Sequence, residues 1–393
     1  MNYTIVDVET TIRNNGNPFD ESNSLCLVGT TSTPYVNNPQ SIYMIEYDAE
    51  PYKNNLELLQ LSLDSTDVLV GFNIKFDLHW LRKYGIKFKS KRIWDCQLVH
   101  FILTGQAKPY PSLNEVAAHY GIEQKLDIVK EEYWKNGIDT PDIPKDILID
   151  YLRQDLNVTQ QVFLKQQEDI KNNMHLARLV SLHNQDLLVL EEMEYNGITY
   201  DYEWSEVLGN ELEEQISKLD ARLYKYHNHP DFNASSNEHL SSLIYGGFIK
   251  YREQVPIGEF KTGARKGQTK YKWEDKQLEL PRLCTPLPKS ELAKEGYYAT
   301  DEATLQQLSL RSNAAKEVMS LIQTRSVLEK RLTTYYRGLN KLCDEQNWRK
   351  GILHGQLNQC VARTGRLSSS KPNLQNFDGE IKSLFKTRYI QEQ

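Results

Sequence analysis

Residues 2–11 (NYTIVDVETT) read as an apolar β-strand that carries Asp7 and Glu9 at alternate positions. Side chains two apart on a strand share a face, so both carboxylates project together. Residues 25–31 and 41–47 read as two further short strands, which makes the opening a meander. Leucines at helical spacing over 54–63 predict a helix, and 67–72 a short buried strand. A second helix follows within 73–82 (NIKFDLHWLR), where Phe76, Trp80 and Leu81 fall on one side and Asp77 lies in the first turn. Residues 112–115 (SLNE) form a capping box that opens another helix. A longer one runs from Pro144 to about residue 168, with Ile147, Leu148, Tyr151, Leu152, Val158 and Val162 on one side. Strands followed by helices over the first 165 or so residues make one α/β domain.

Beyond about residue 170 the periodicity turns helical. Residues 176–196 and 203–227 predict two long helices separated by the turn signal NGIT at 196–199. Ser235 heads a cap (SSNE, 235–238), and Thr300 opens a short helix. Residues 314 to about 345 predict a long amphipathic helix with Arg325, Lys330 and Arg331 along it. Residues 250–298, rich in Gly, Lys and Pro, predict a mobile hairpin or loop.

Composition narrows the class. With 393 residues, 39% hydrophobic and 25% charged, the chain has room for two or three domains with their own cores. No apolar run approaches the roughly 20 residues of a membrane span, and no basic flank or cleavage site marks the N-terminus, so a cytoplasmic location, bacterial or in a phage-infected host, is expected. Five scattered cysteines without a C-x-x-C pair point to reduced thiols, neither a disulfide framework nor a zinc site. The net charge of −6 hides a segregation: residues 250–272 carry +5 and residues 349–388 carry +6, leaving −17 for the remainder. Local phosphate-facing patches with acidic metal sites elsewhere account for such a distribution.

Asp7 and Glu9 alone are compatible with a solvated strand end. Asp77 follows the carboxyl end of a strand, where α/β folds place functional groups, and Asp155 lies one helical turn from Tyr151. Four carboxylates on three elements can hold two Mg²⁺ or Mn²⁺ ions about 3.5–4 Å apart, the arrangement that activates water for phosphodiester cleavage. The Tyr151 phenol is the candidate for orienting that water.

These positions resemble, motif by motif, the DEDD 3′-to-5′ exonucleases: Asp-x-Glu-Thr at Asp7, Asn-x-x-x-Asp from Asn73 to Asp77, and Tyr-x-x-x-Asp from Tyr151 to Asp155, the last marking the tyrosine subtype. Residues 187–198 (LLVLEEMEYNGI) and 324–335 (TRSVLEKRLTTY) are similar to the thumb region of family A DNA polymerases, the bacterial DNA polymerase I class. Residues 364–376 (TGRLSSSKPNLQN) closely resemble that family's signature ahead of its palm motifs. The resemblance implies a ribonuclease H-like α/β exonuclease domain with a mixed sheet over 1–170, a mainly α thumb-like domain over 171–345 containing the basic loop 250–298, and an incomplete palm segment over 346–393. It implies Asp7, Glu9, Asp77 and Asp155 as ligands of two Mg²⁺ or Mn²⁺ ions. It makes Asn73, Arg363, Arg366, Asn373, Gln375 and Asn376 contacts to DNA, a single-stranded 3′ end or a primer-template. Lys261, Arg265, Lys266, Lys270 and Lys272 join them as cations able to track a duplex backbone.

The expected activity is metal-dependent proofreading hydrolysis. The family's metal-binding palm aspartates and fingers helix are not found before Gln393, so a split polymerase, phage-like, whose second chain carries fingers and palm is the expectation for nucleotide addition. The rival readings are a non-catalytic, clamp-like DNA-binding subunit with a vestigial site, a stand-alone exonuclease, a truncated polymerase, and an RNA-processing exonuclease on the same fold.

Overall fold

The computed structural model describes residues 2–32, 40–47, 53–88, 91–124, 127–377, 379 and 381–387. It divides into two compact units, Met1–Tyr202 with Leu339–Gln393, and Glu203–Gly338. The first is built on a mixed sheet of β1 (Tyr3–Thr10), β2 (Leu25–Ser32), β3 (Ser41–Met44), β4 (Val68–Gly71) and β5 (Arg92–Asp95), in the order β3-β2-β1-β4-β5. The antiparallel pairing of β1 with β2 and β2 with β3 is the meander expected from the alternation. β4 and β5 then add in parallel, with α1 (Lys53–Asp64) and α2 (Lys75–Lys83) as the crossovers.

β5 and the helix that leaves it, α3 (Cys96–Leu103), are two elements that residue patterning misses. Residues 93–103 are buried almost throughout, so they show neither the alternation of a half-buried strand nor a polar helix face. α4 (Leu113–His119) carries the expected capping box, in which Ser112 accepts from the Glu115 N–H and Glu115 reaches back to the Ser112 N–H at 2.9 Å. α5 (Lys145–Ile170) packs across β1 and β2, burying Leu148, Leu152, Leu156 and Val162.

α6 (Met174–Asn196) was expected to open the second domain, but it belongs to the first unit. Two buried acids hold it there. Glu191 accepts from Arg82 Nε at 2.8 Å, and Glu194 from Lys75 Nζ at 2.6 Å and His79 at 2.8 Å, all three donors lying on α2. A boundary at 170 would break this network, and removing one partner of a buried pair costs about 3–5 kcal/mol.

After β6 (Ile198–Thr199) comes the mainly helical second unit: α7 (Tyr202–His227), α8 (Asn237–Tyr245), the antiparallel hairpin of β7 (Gly247–Glu259) and β8 (Thr269–Leu280), α9 (Glu302–Gln306) and α10 (Asn313–Arg331). A π turn, Leu332–Tyr336, carries the last helix into α11 (Arg337–Glu345). Leu223, Leu243, Ile249, Leu280, Val318 and Ile322 form the core of this unit. Two caps fall one residue later than expected: Ser236, not Ser235, accepts from the His239 N–H, and Asp301, not Thr300, from the Thr304 N–H at 3.0 Å. Arg325 is not displayed outward; it is 8% exposed and paired to Asp220 at 2.6 Å and Glu329 at 2.7 Å.

The chain then returns to the first unit. β9 (Ile352–Leu353) pairs with β6, and β10 (Gln356–Asn358) pairs with β11 (Ser368–Ser370) inside the expected palm segment. Residues 388–393, the end of that segment, lie outside the described residues. All five cysteines are buried and free. Among the described residues, no helix is long and apolar enough to cross a membrane.

Candidate metal centre

Asp7 and Glu9 stand on β1, the middle strand of the sheet, opposite Gly29 and Leu27 of β2. The absence of a side chain at Gly29 lets α5 lie close above Asp7. A Cβ there would sit 2.8 Å from Leu156 Cδ1 and 2.9 Å from Leu152 Cγ. The close approach brings Asp155, one residue before Leu156, to the two strand carboxylates. Ligand oxygens of Asp7, Glu9 and Asp155 all lie within 4.8 Å of one another.

Glu9 is 4% exposed and Asp155 8%, with Asp7 half-buried. At an effective dielectric constant near 20, two unit negative charges about 5 Å apart repel by roughly 3 kcal/mol. Three such carboxylates together are the donor set of a hard divalent cation, and their chemistry fits Mg²⁺ or Mn²⁺.

Asp77 is the fourth expected ligand, and it lies beside the trio rather than within it. Pairing of β1 with β4 stops at Ile5, and the Val8 N–H further along β1 donates to Asp77 Oδ1 at 3.0 Å. Complete burial, then the neighbouring Asp7 charge, push the Asp77 carboxyl well above the usual carboxylate range. Tyr151 is 7% exposed on the same side of α5 as Asp155, with its ring edge-on to Trp134 at 5.8 Å.

Asp95 is a buried carboxylate beside the candidate site that motif reading misses. It ends β5 and caps α3, and its Oδ1 accepts from the Gln97 N–H at 2.9 Å, the Leu98 N–H at 3.2 Å and the Asn73 N–H at 3.0 Å. The last bond pins Asn73 in a left-handed conformation, φ +56°, just before the helix that carries Asp77. Burial pushes the Asp95 carboxyl up to about 6 despite these bonds. The available signal was an aspartate directly ahead of the apolar run 96–103.

Asn73 also lines a cleft of about 440 Å³ with Lys75, Phe76, Tyr110, Gln356 and Asn358. The residues of the 364–376 stretch lie outside that cleft except Ser370 and Lys371. Arg363 and Arg366 are exposed; Arg363 donates to the Ala107 carbonyl at 3.4 Å. Asn373 accepts from the Gln375 N–H at 3.2 Å, and the Gln375 amide donates to the Leu367 carbonyl at 2.8 Å, so part of their polar capacity braces the loop itself. Asn376 is exposed. Lys261, Arg265 and Lys266 occupy the hairpin turn between β7 and β8, and Lys270 and Lys272 stand on β8, all five exposed.

Comparison with known proteins agrees with this architecture. Residues 275–391 match the model of DNA polymerase family A. The chain is 27% identical over 305 residues to the DNA polymerase I of Synechocystis sp., covering 77% of this chain and 26% of that protein. It is 26% identical over 371 residues to the DNA polymerase of Bacillus phage SP01, covering 85% and 38%. Among solved structures it resembles the POL domain of Pol1 from M. smegmatis in complex with DNA primer-template and dNTP. The TM-score is 0.62 at 17% identity, over 96% of this chain and 52% of that one. The chain thus spans about a quarter to two fifths of these two relatives' length, and it is related to the family A DNA polymerases.

Proposed function

We propose that the first unit is a metal-dependent 3′-to-5′ DNA exonuclease of the DEDD tyrosine subtype, the proofreading part of a family A DNA polymerase. The observation that carries the reading is the convergence of Asp7, Glu9 and Asp155 oxygens within 4.8 Å, with Asp77 against the same strand. A central β1 flanked by an antiparallel meander on one side and parallel strands on the other supports a ribonuclease H-like fold.

In this reading Asp7, Glu9 and Asp155 would hold the ions, with Asp77 beside them against the same strand. When bound, two Mg²⁺ or Mn²⁺ ions supply an activated water and stabilise the departing 3′ oxygen. The chain's own residues do the rest. Tyr151, on the same side of α5 as Asp155, would orient that water through its phenol, and burial of the carboxylates keeps bulk water from screening them. Asp95 fixes the Asn73 turn and with it the start of α2, so that Asp77 is held against Val8. Arg363, Arg366, Asn373, Gln375 and Asn376 contact the phosphates and groove edges of a bound strand without reading its sequence.

Substitution Asp7→Ala with Glu9→Ala tests the assignment. Release of mononucleotides should be abolished, calorimetric Mn²⁺ binding should vanish, and DNA should still bind. Undiminished nuclease activity in the double variant sinks the reading. Absence of divalent binding in the unmodified chain would leave a vestigial site on a clamp-like subunit.

A further inference from the structure

The β7–β8 hairpin separates two chemistries onto its faces and its tip. Directly opposed residues share a face in an antiparallel pair. Ile249 with Leu278 therefore defines the inner face, which is buried in the core of the second unit at its base. The opposite face carries Phe248, Trp273 opposite Gln254, and Tyr271 opposite Pro256. These rings are 49%, 53% and 54% exposed, in a chain whose other large aromatics are mostly covered.

Toward the turn the hairpin is mainly cationic, Glu259 opposite Thr269 being the acid there, and Lys270 and Lys272 alternate with the rings onto the other face. Residues 260–272 hold Lys261, Arg265, Lys266, Lys270 and Lys272 and no acid. Among the described residues none of the five enters an ion pair, whereas further down the ribbon Arg252 is matched by Asp275 at 3.1 Å and Lys276 by Glu253. Exposed rings with unneutralised cations at one end call for a polyanion that offers flat apolar surfaces.

We infer that this hairpin is a binding arm for single-stranded nucleic acid, gripping phosphates at its tip and stacking unpaired bases on Tyr271 and Trp273. Two residues apart on one strand face, the rings are spaced by about 6.8 Å, twice the 3.4 Å rise of stacked bases. Each ring has room for a base of its own, or the two for one base between them. A duplex keeps its bases stacked inside and has no use for the rings, so the aromatic face selects the single strand over the duplex backbone that the cations alone would track. The arm belongs to the second unit and the carboxylates to the first.

Fluorescence anisotropy of the full chain with labelled oligothymidylate and with a blunt duplex of equal length, in EDTA, tests this without calling on the metal site. Y271A/W273A should weaken single-strand binding by roughly five- to a hundredfold per ring and leave duplex binding unchanged. Y271F/W273F should retain most of the single-strand affinity, which separates stacking from loss of the fold. Replacing all five tip cations by alanine should reduce the slope of log K against log salt by about 0.7 per cation engaged. Unchanged single-strand affinity in Y271A/W273A overturns the proposal and leaves the rings to a protein partner. Equal losses for single strand and duplex overturn it as well.

Discussion

Gly29 is the position where a single methyl group should separate folding from catalysis. An alanine Cβ would stand 2.8 Å from Leu156 Cδ1 and 2.9 Å from Leu152 Cγ, against the 3.5–4.0 Å of an ordinary carbon contact. Leu152 and Leu156 are both wholly buried, so neither can swing into solvent. The strand and α5 must then part by roughly 0.5–1 Å, and overpacking of this size costs about 1–3 kcal/mol. The same displacement carries Asp155 and Tyr151 away from Asp7 and Glu9, and a misplacement near 1 Å costs on the order of 100-fold in rate.

Gly29→Ala should therefore remain folded, lose about 1–3 kcal/mol in urea unfolding, bind Mn²⁺ more weakly by calorimetry, and release mononucleotides on the order of 100-fold more slowly. Trimming the obstacle with Leu156→Val in the same chain should recover part of both losses, a coupling that a double-mutant cycle reads directly. Gly29→Ala with unaltered stability and rate would refute the claim that close packing of α5 sets the carboxylate geometry.

Other substitutions probe the supports of the site. Asp95 has a folded-state carboxyl raised to about 6, so the stability it contributes is full below about pH 4 and is lost as pH rises through 6. Asp95→Asn keeps the Oδ1 acceptor but does not titrate; urea unfolding between pH 4 and 7 should show the variant gaining on the unmodified chain by about 3 kcal/mol, and parallel profiles would contradict this. Glu194→Ala strips Lys75, His79 and the Leu357 N–H of a buried acceptor and should destabilise the first unit by about 3–5 kcal/mol in the same assay. Tyr151→Phe should lower the nuclease turnover on the order of 100-fold while KM and Mn²⁺ affinity stay as they were; a parallel fall in Mn²⁺ affinity would make the phenol a structural prop instead.

Much of the fold was legible wherever one side of an element meets water. The meander, α2, α5 and the helices of the second unit announce themselves through alternation or helical spacing, and Ser112 with Glu115 through capping chemistry. β5 and α3 were silent because burial on all sides removes the polar half of the pattern. Asp7 and Glu9 alone could have been a solvated strand end; they became legible as a set with Asp155 through the spacing of the three motifs, and the structure brings those three together. Asp77 was legible as a carboxylate after a strand, but its bond to the Val8 N–H was not, since that depends on where β4 stops. The tie of α6 to α2 was hidden for a related reason: Lys75, His79 and Arg82 match Glu191 and Glu194 at helical spacing, yet their partnership shows only once α2 and α6 are side by side.

The central claim is that the carboxylates on β1 and α5 form a working exonuclease centre, and the polarity of digestion tests it most directly. The purified chain is incubated with a single strand labelled at its 5′ end, with Mg²⁺ or with EDTA, and the products are resolved by length. The account predicts a ladder shortening one nucleotide at a time from the 3′ end, dependent on the metal and absent in EDTA. Strands that stay intact with Mg²⁺, or that are cut internally, would contradict it.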